Sequence, residues 1–78
     1  MNRHLKPLVH LPMGVKGVVK DIRGGRKSRS RLSDLGIIKD AKVKVVQNSN
    51  GPLIISLGDN KVALGFGMAN KVMVEELN

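Results

Sequence analysis

The chain has 78 residues, 41% of them apolar, no cysteine, and a formal net charge of +8. A chain of this length forms one small domain that buries about 60–65% of its unfolded surface, enough for a single core but not for a deep substrate cavity. The absence of cysteine excludes a disulfide frame and a thiolate metal site. No stretch approaches the ~18–20 apolar residues of a membrane span, and the N-terminus lacks the apolar segment of a signal peptide, so a cytoplasmic protein is expected.

Residues 1–6 read as a flexible extension, and the folded domain is expected to span residues 7–78. Leu8, Leu11 and Met13 follow among Pro7 and Pro12, which favour extended backbone. A first strand is expected from Val15 to Ile22, ended by Gly24-Gly25. Ser28 to Leu35 predicts a helix, with Ser28 as a candidate N-cap. Gly36 fits the left-handed position that closes a helix. Leu32 and Leu35, three apart, set its buried direction.

Val43 and Val45 alternate with Lys42 and Lys44 in a second strand, Lys42 to Asn48. Ser49-Asn50-Gly51-Pro52 reads as a hairpin turn. Leu53 to Leu57 follows as a third strand. Gly58-Asp59-Asn60 forms the next tight turn, and Lys61 to Leu64 a fourth strand. Gly65 to Asn70 is a glycine-flexed bend with room for one helical turn. Val72 and Val74 lie on a fifth strand that runs into Glu75-Glu76. The fold class is therefore mainly β: a small five-stranded barrel, closed or nearly so, with one short helical insertion.

Catalytic constellations are scarce. His4 and His10 are the only histidines, and no acidic partner lies near either in sequence. No serine has a histidine close by in sequence. Asp34, Asp40 and Asp59 sit where helix ends and turns favour Asp. Gly24-Gly25-Arg26-Lys27-Ser28 lacks the glycine that a phosphate loop places directly before Lys-Ser. Gly65-Phe66-Gly67 lacks the third glycine of a dinucleotide fingerprint and has no room for a βαβ unit. No enzyme activity, catalytic residue, metal ligand or cofactor is expected.

The charge is concentrated. Residues 16–44 carry ten of the fourteen cations and three of the six acids, a local net of +7. Arg23 to Arg31 contains five cations and no acid. Arg26, Lys27 and Arg29 therefore read as a partner-binding face. Arg31 either joins them or pairs with Asp34, three residues on. Phe66 and Met68, in the glycine bend, are the apolar candidates for the same role. A small basic nucleic-acid-binding barrel is an alternative, since cations supply phosphate contacts. Phe66 is the one aromatic residue, however, and single-strand binders of this size stack bases on several, so nucleic acid is not the expected partner.

The order of these pieces resembles the FeoA family. The resemblance rests on P-L-x-x-L-P-x-G before the first strand, then Gly24-Gly25, then Arg31-Leu32-Ser33-Asp34-Leu35-Gly36-Ile37. A Val-rich strand, a G-P-L-I turn and strand, and a closing A-x-x-V-x-V-E complete it. It covers about Pro7 to Glu76. The resemblance implies an SH3-like barrel and a cytoplasmic accessory role in bacterial ferrous iron uptake. It implies as partner the FeoB membrane transporter, whose cytoplasmic part carries a GTP-binding domain. A similar barrel ends metal-dependent repressors, so a transition-metal-sensing domain is a second alternative. The expected protein is a monomer recruited to the inner face of the membrane by its partner, and it meets ferrous iron only through the transport system. Many members have Gly in place of Asp40, and many have Arg where this chain has Gly65.

Overall fold

The computed structural model describes residues 4–48 and 51–77. Six strands and two helices follow the chain: β1 (Leu5–Pro7), β2 (Lys16–Ile22), α1 (Arg26–Asp34), β3 (Lys42–Gln47), β4 (Leu53–Leu57), β5 (Asn60–Leu64), α2 (Phe66–Ala69) and β6 (Val72–Glu76). All strand pairs are antiparallel, in the order β1-β6-β2-β3-β4-β5. Among the described residues no ladder joins β1 to β5, so the sheet curls around its core without closing.

Period-two alternation explains most of the sheet. Val43 and Val45 are buried in β3 while Lys42 and Lys44 are exposed. Leu53 and Ile55 turn inward from β4. In β2, Val19 is buried and Val18 half-buried, with the register shifting between Val19 and Asp21 opposite β6. Gly17 is buried where a Cβ would lie 3.2 Å from both the Glu75 carbonyl oxygen and Leu11 Cδ2. Val19, Val43, Val45, Leu53 and Ile55 join Leu8, Leu11, Leu32, Ile37, Leu64, Val72 and Val74 in one core.

Three sequence expectations change. There are six strands rather than five, because Leu5 and Lys6 already pair with Glu75 and Val74. Residues 5 and 6 thus belong to the sheet and not to a loose extension. The Pro7–Pro12 segment is not extended throughout: Leu8–His10 forms a 3-10 turn. That turn is held by Leu11 N–H donating to Leu8 O at 3.0 Å and by Asn48 Nδ2 donating to Val9 O at 3.1 Å. It buries Leu8 and Leu11 completely, which straight backbone between prolines would not do. Finally, α1 starts two residues earlier than expected, with Gly25 rather than Ser28 at the N-cap. The hairpin expected around Asn50-Gly51 lies partly outside the described residues.

Two backbone positions shape the surroundings of α1. Gly36 has φ +91°. Its N–H donates to Ser33 O at 2.9 Å, and Ile37 N–H donates to Leu32 O at 2.8 Å. This pair of bonds is a Schellman closure, with Leu32 and Ile37 both fully buried beneath it. Asp40 has φ +74°, at the position where relatives were expected to carry Gly. Asp is among the few residues that tolerate this region. The turn is held by Asp40 N–H donating to Val19 O at 2.7 Å and Val19 N–H donating to Ala41 O at 2.9 Å.

Candidate docking site

Helix α1 is fixed at both ends, by different means. At its C-terminal end the Schellman closure and Leu32 anchor it to the core. At its N-terminal end no side chain caps the helix. Ser28, expected as that cap, instead lies inside the helix, where its Oγ accepts from Lys71 Nζ at 2.9 Å. Arg23 N–H donates to Lys71 O at 2.7 Å, so Lys71 ties the start of α1 to the turn before β6. Gly24, at φ +106°, makes room for this contact, since a Cβ there would lie 3.1 Å from Lys71 Cδ.

The cations of α1 are set apart from this scaffold. Arg26, Lys27, Arg29 and Arg31 are all exposed. The ion pairs among the described residues lie elsewhere: Lys6 with Glu76 at 2.8 Å and Lys20 with Glu75 at 3.7 Å. Asp34 is exposed and does not pair with Arg31. The acidic C-terminal strand is therefore neutralised by lysines of β1 and β2, and among the described residues no ion pair engages the cations of α1. Cations in the first turn of a helix oppose its dipole, so their placement brings no local stabilisation.

The candidate residues divide among different surfaces. Arg31 and Met68 line one open groove of about 320 Å³, together with Leu35, Ala63, Leu64 and Gly65. Arg29 lines a separate cleft of about 430 Å³ on the other side of α1, with Lys20, Lys39 and the apolar Ile22, Ile37 and Ile38. Phe66, at the start of α2, is 57% exposed and lines neither. Arg26 and Lys27 project at the helix start.

Leu35 differs from the sequence expectation. Its spacing from Leu32 suggested one buried stripe, yet Leu32 is fully buried and Leu35 is 40% exposed. The helix ends at Asp34 and the backbone turns left-handed at Gly36. Ile37, not Leu35, then takes the next core position. Leu35 becomes a wall of the groove, where Met68 reaches it from the other end of the chain. Sequence spacing could not join residues 31–35 to residues 63–68, because only the tertiary fold makes them neighbours.

Among the described residues no three His, Asp or Glu side chains cluster as a metal centre would need. No helix among them is long and apolar enough to cross a membrane.

A curled antiparallel sheet with an inserted basic helix and open surface grooves defines a small SH3-like β domain. Residues 6–76 match the FeoA domain, and the chain belongs to that family, accessory proteins of ferrous iron transport. A Methanocaldococcus jannaschii protein provisionally named Fe(2+) transport protein A is 41% identical over 90% of this chain and 85% of its own length. The crystal structure of an iron uptake regulatory protein, FeoA, superposes with a TM-score of 0.89 at 39% identity, covering 95% of this chain and 99% of that one. A Stenotrophomonas maltophilia FeoA complexed with zinc, described as a procaryotic SH3 domain protein, gives a TM-score of 0.71 at 28% identity over 87% of each chain. A manganese-dependent transcriptional repressor shares the fold at 20% identity, with a TM-score of 0.89 over 99% of this chain and 44% of that one.

Proposed function

We propose that this chain is a non-enzymatic accessory protein that docks on the cytoplasmic part of a FeoB-type ferrous iron transporter. The observation that carries the reading is the groove joining Arg31, Leu35 and Met68 beside a helix whose cations form no ion pair among the described residues. An apolar patch flanked by unpaired charge suits a protein surface that offers apolar side chains within an acidic rim. Arg26, Lys27 and Arg29 supply the long-range attraction, and the groove supplies the short-range contact. Recruitment to the membrane then comes through the transporter. Nucleic acid is the weaker reading because Phe66 is the one aromatic side chain available for stacking.

The test is titration calorimetry with the purified cytoplasmic domain of a FeoB-type transporter. Wild-type protein is expected to bind. Leu35→Ala combined with Met68→Ala is expected to weaken binding by about tenfold or more, as loss of two partly exposed apolar contacts implies. Failure of the wild-type protein to bind at low ionic strength overturns the reading.

A further inference from the structure

The curled sheet has two free edges, and they are unlike. β1 is three residues long, ends in Pro7, which has no N–H, and has Lys6 held by Glu76 at 2.8 Å. Short length and proline are the usual ways of blunting an edge. β5 is five residues long and carries no proline. Its register is set by a two-residue loop, Gly58-Asp59, between Leu57 and Asn60. Gly58 has φ +62°, the first-position geometry of the hairpin turns that match strand twist.

This register decides which backbone groups are free. The pair flanking a two-residue loop is hydrogen-bonded, and bonded and non-bonded pairs then alternate. Leu57–Asn60, Ile55–Val62 and Leu53–Leu64 are accordingly the bonded pairs, and Ser56–Lys61 and Ile54–Ala63 the non-bonded ones. Lys61 and Ala63 therefore turn both N–H and C=O away from β4. Among the described residues no backbone or side-chain group bonds to these outward groups. Ala63 also lines the groove with Arg31, Leu35 and Met68. The open edge and the groove are thus parts of one surface.

We infer that the β5 edge is a strand-addition site for an extended segment carrying acidic and apolar side chains. The segment pairs its backbone with Lys61 and Ala63, lays an apolar side chain in the Leu35–Met68 groove, and brings a carboxylate to Arg31. Main-chain pairing supplies affinity in such complexes, and pockets for alternate side chains supply specificity. Charge selects the occupant. Lys61 is exposed on the edge, Arg31 forms no ion pair among the described residues, and the chain is +8 overall. A second copy of this chain would set like charges against one another, whereas an acidic strand neutralises them. The source of the segment rests on the docking reading above, namely the transporter's cytoplasmic part.

Ala63→Pro is the test, because proline deletes an N–H that the β4–β5 ladder does not use. The variant is expected to keep the fold, checked by circular dichroism, and to bind the FeoB-type cytoplasmic domain about tenfold or more weakly than wild type. Amide exchange on the wild-type protein provides a second readout. Saturating domain is expected to slow exchange of the Lys61 and Ala63 N–H groups, which are solvent-facing in the free protein. If the domain binds a folded Ala63→Pro protein as tightly as wild type, or leaves those two amides unprotected, strand addition is wrong while docking stands. If wild-type protein does not bind the domain at all, both readings fall. If Lys61 and Ala63 become protected at high protein concentration without the domain, the acidic-segment assignment is overturned in favour of self-pairing.

Discussion

The two ends of α1 are built on opposite terms. The C-terminal end is fastened by backbone geometry and burial: two closing hydrogen bonds, a left-handed Gly36, and the fully buried pair Leu32 and Ile37. The N-terminal end has no side-chain cap, holds Arg26, Lys27 and Arg29 in solvent, and is tethered by the Ser28–Lys71 hydrogen bond. One end is fixed by burial and backbone geometry, and the other by a side-chain hydrogen bond beneath exposed charge. The difference teaches how a very small domain can keep anchor and charge apart: under the proposed docking role, the anchor and the charge offered to a partner sit on separate residues, so one can be altered without disturbing the other.

This contrast can be broken first at the anchor. Leu32→Ala removes a fully buried side chain and is expected to cost about 2–5 kcal/mol, read as a lowered midpoint in urea unfolding. A loss well under 1 kcal/mol would mean that α1 is not anchored through its C-terminal end. Gly36→Val comes next. A Cβ at Gly36 meets only Leu57 Cδ1 at 3.7 Å, an ordinary contact, so the penalty is conformational rather than steric. About 1–2 kcal/mol is expected for a side chain at φ +91°. Thermal unfolding of Gly36→Ala and Gly36→Val tests this: a conformational penalty already destabilises Gly36→Ala, and the β-branched Val loses more.

The tether should matter less. Ser28→Ala removes one partly buried hydrogen bond and is expected to cost about 0.5–1.5 kcal/mol. Measured together with Lys71→Ala in a double-mutant cycle, the two changes should be less than additive. The smallest effect on stability is expected for Arg26, Lys27 and Arg29 changed together to Ala. Exposed charges contribute little to folding, and those at a helix N-terminus oppose the dipole. Its melting temperature should equal or slightly exceed that of wild type.

Much of this fold is legible in the sequence, and the reasons are local. Alternation of Val and Lys places β3, the in-phase Leu53, Ile55 and Leu57 mark β4, and Gly36 signals the end of α1. What escapes sequence reading depends on distant partners. β1 is only three residues long and gains its identity by pairing with β6 near the opposite end of the chain. Ser28 has the chemistry of a cap, but Lys71 claims its hydroxyl and leaves Gly25 at the cap position. Leu35 has the spacing of a core residue, but the left-handed turn at Gly36 gives the core to Ile37. Of the candidate site, the cations and the Phe66–Met68 bend can be picked out in advance from charge and composition. The groove cannot, because its walls come from segments about thirty residues apart in sequence.

The central claim is that the charge of α1 serves a partner and not the fold. Its most direct test is the affinity of a FeoB-type cytoplasmic domain for wild-type protein and for the Arg26→Ala, Lys27→Ala, Arg29→Ala triple variant, measured across ionic strengths. Wild-type binding is expected to weaken steeply as salt rises, whereas the triple variant binds more weakly at low salt and varies little with it. A triple variant that binds as tightly as wild type at low salt, with the same salt dependence, would contradict the account and leave the basic helix as a solvated face.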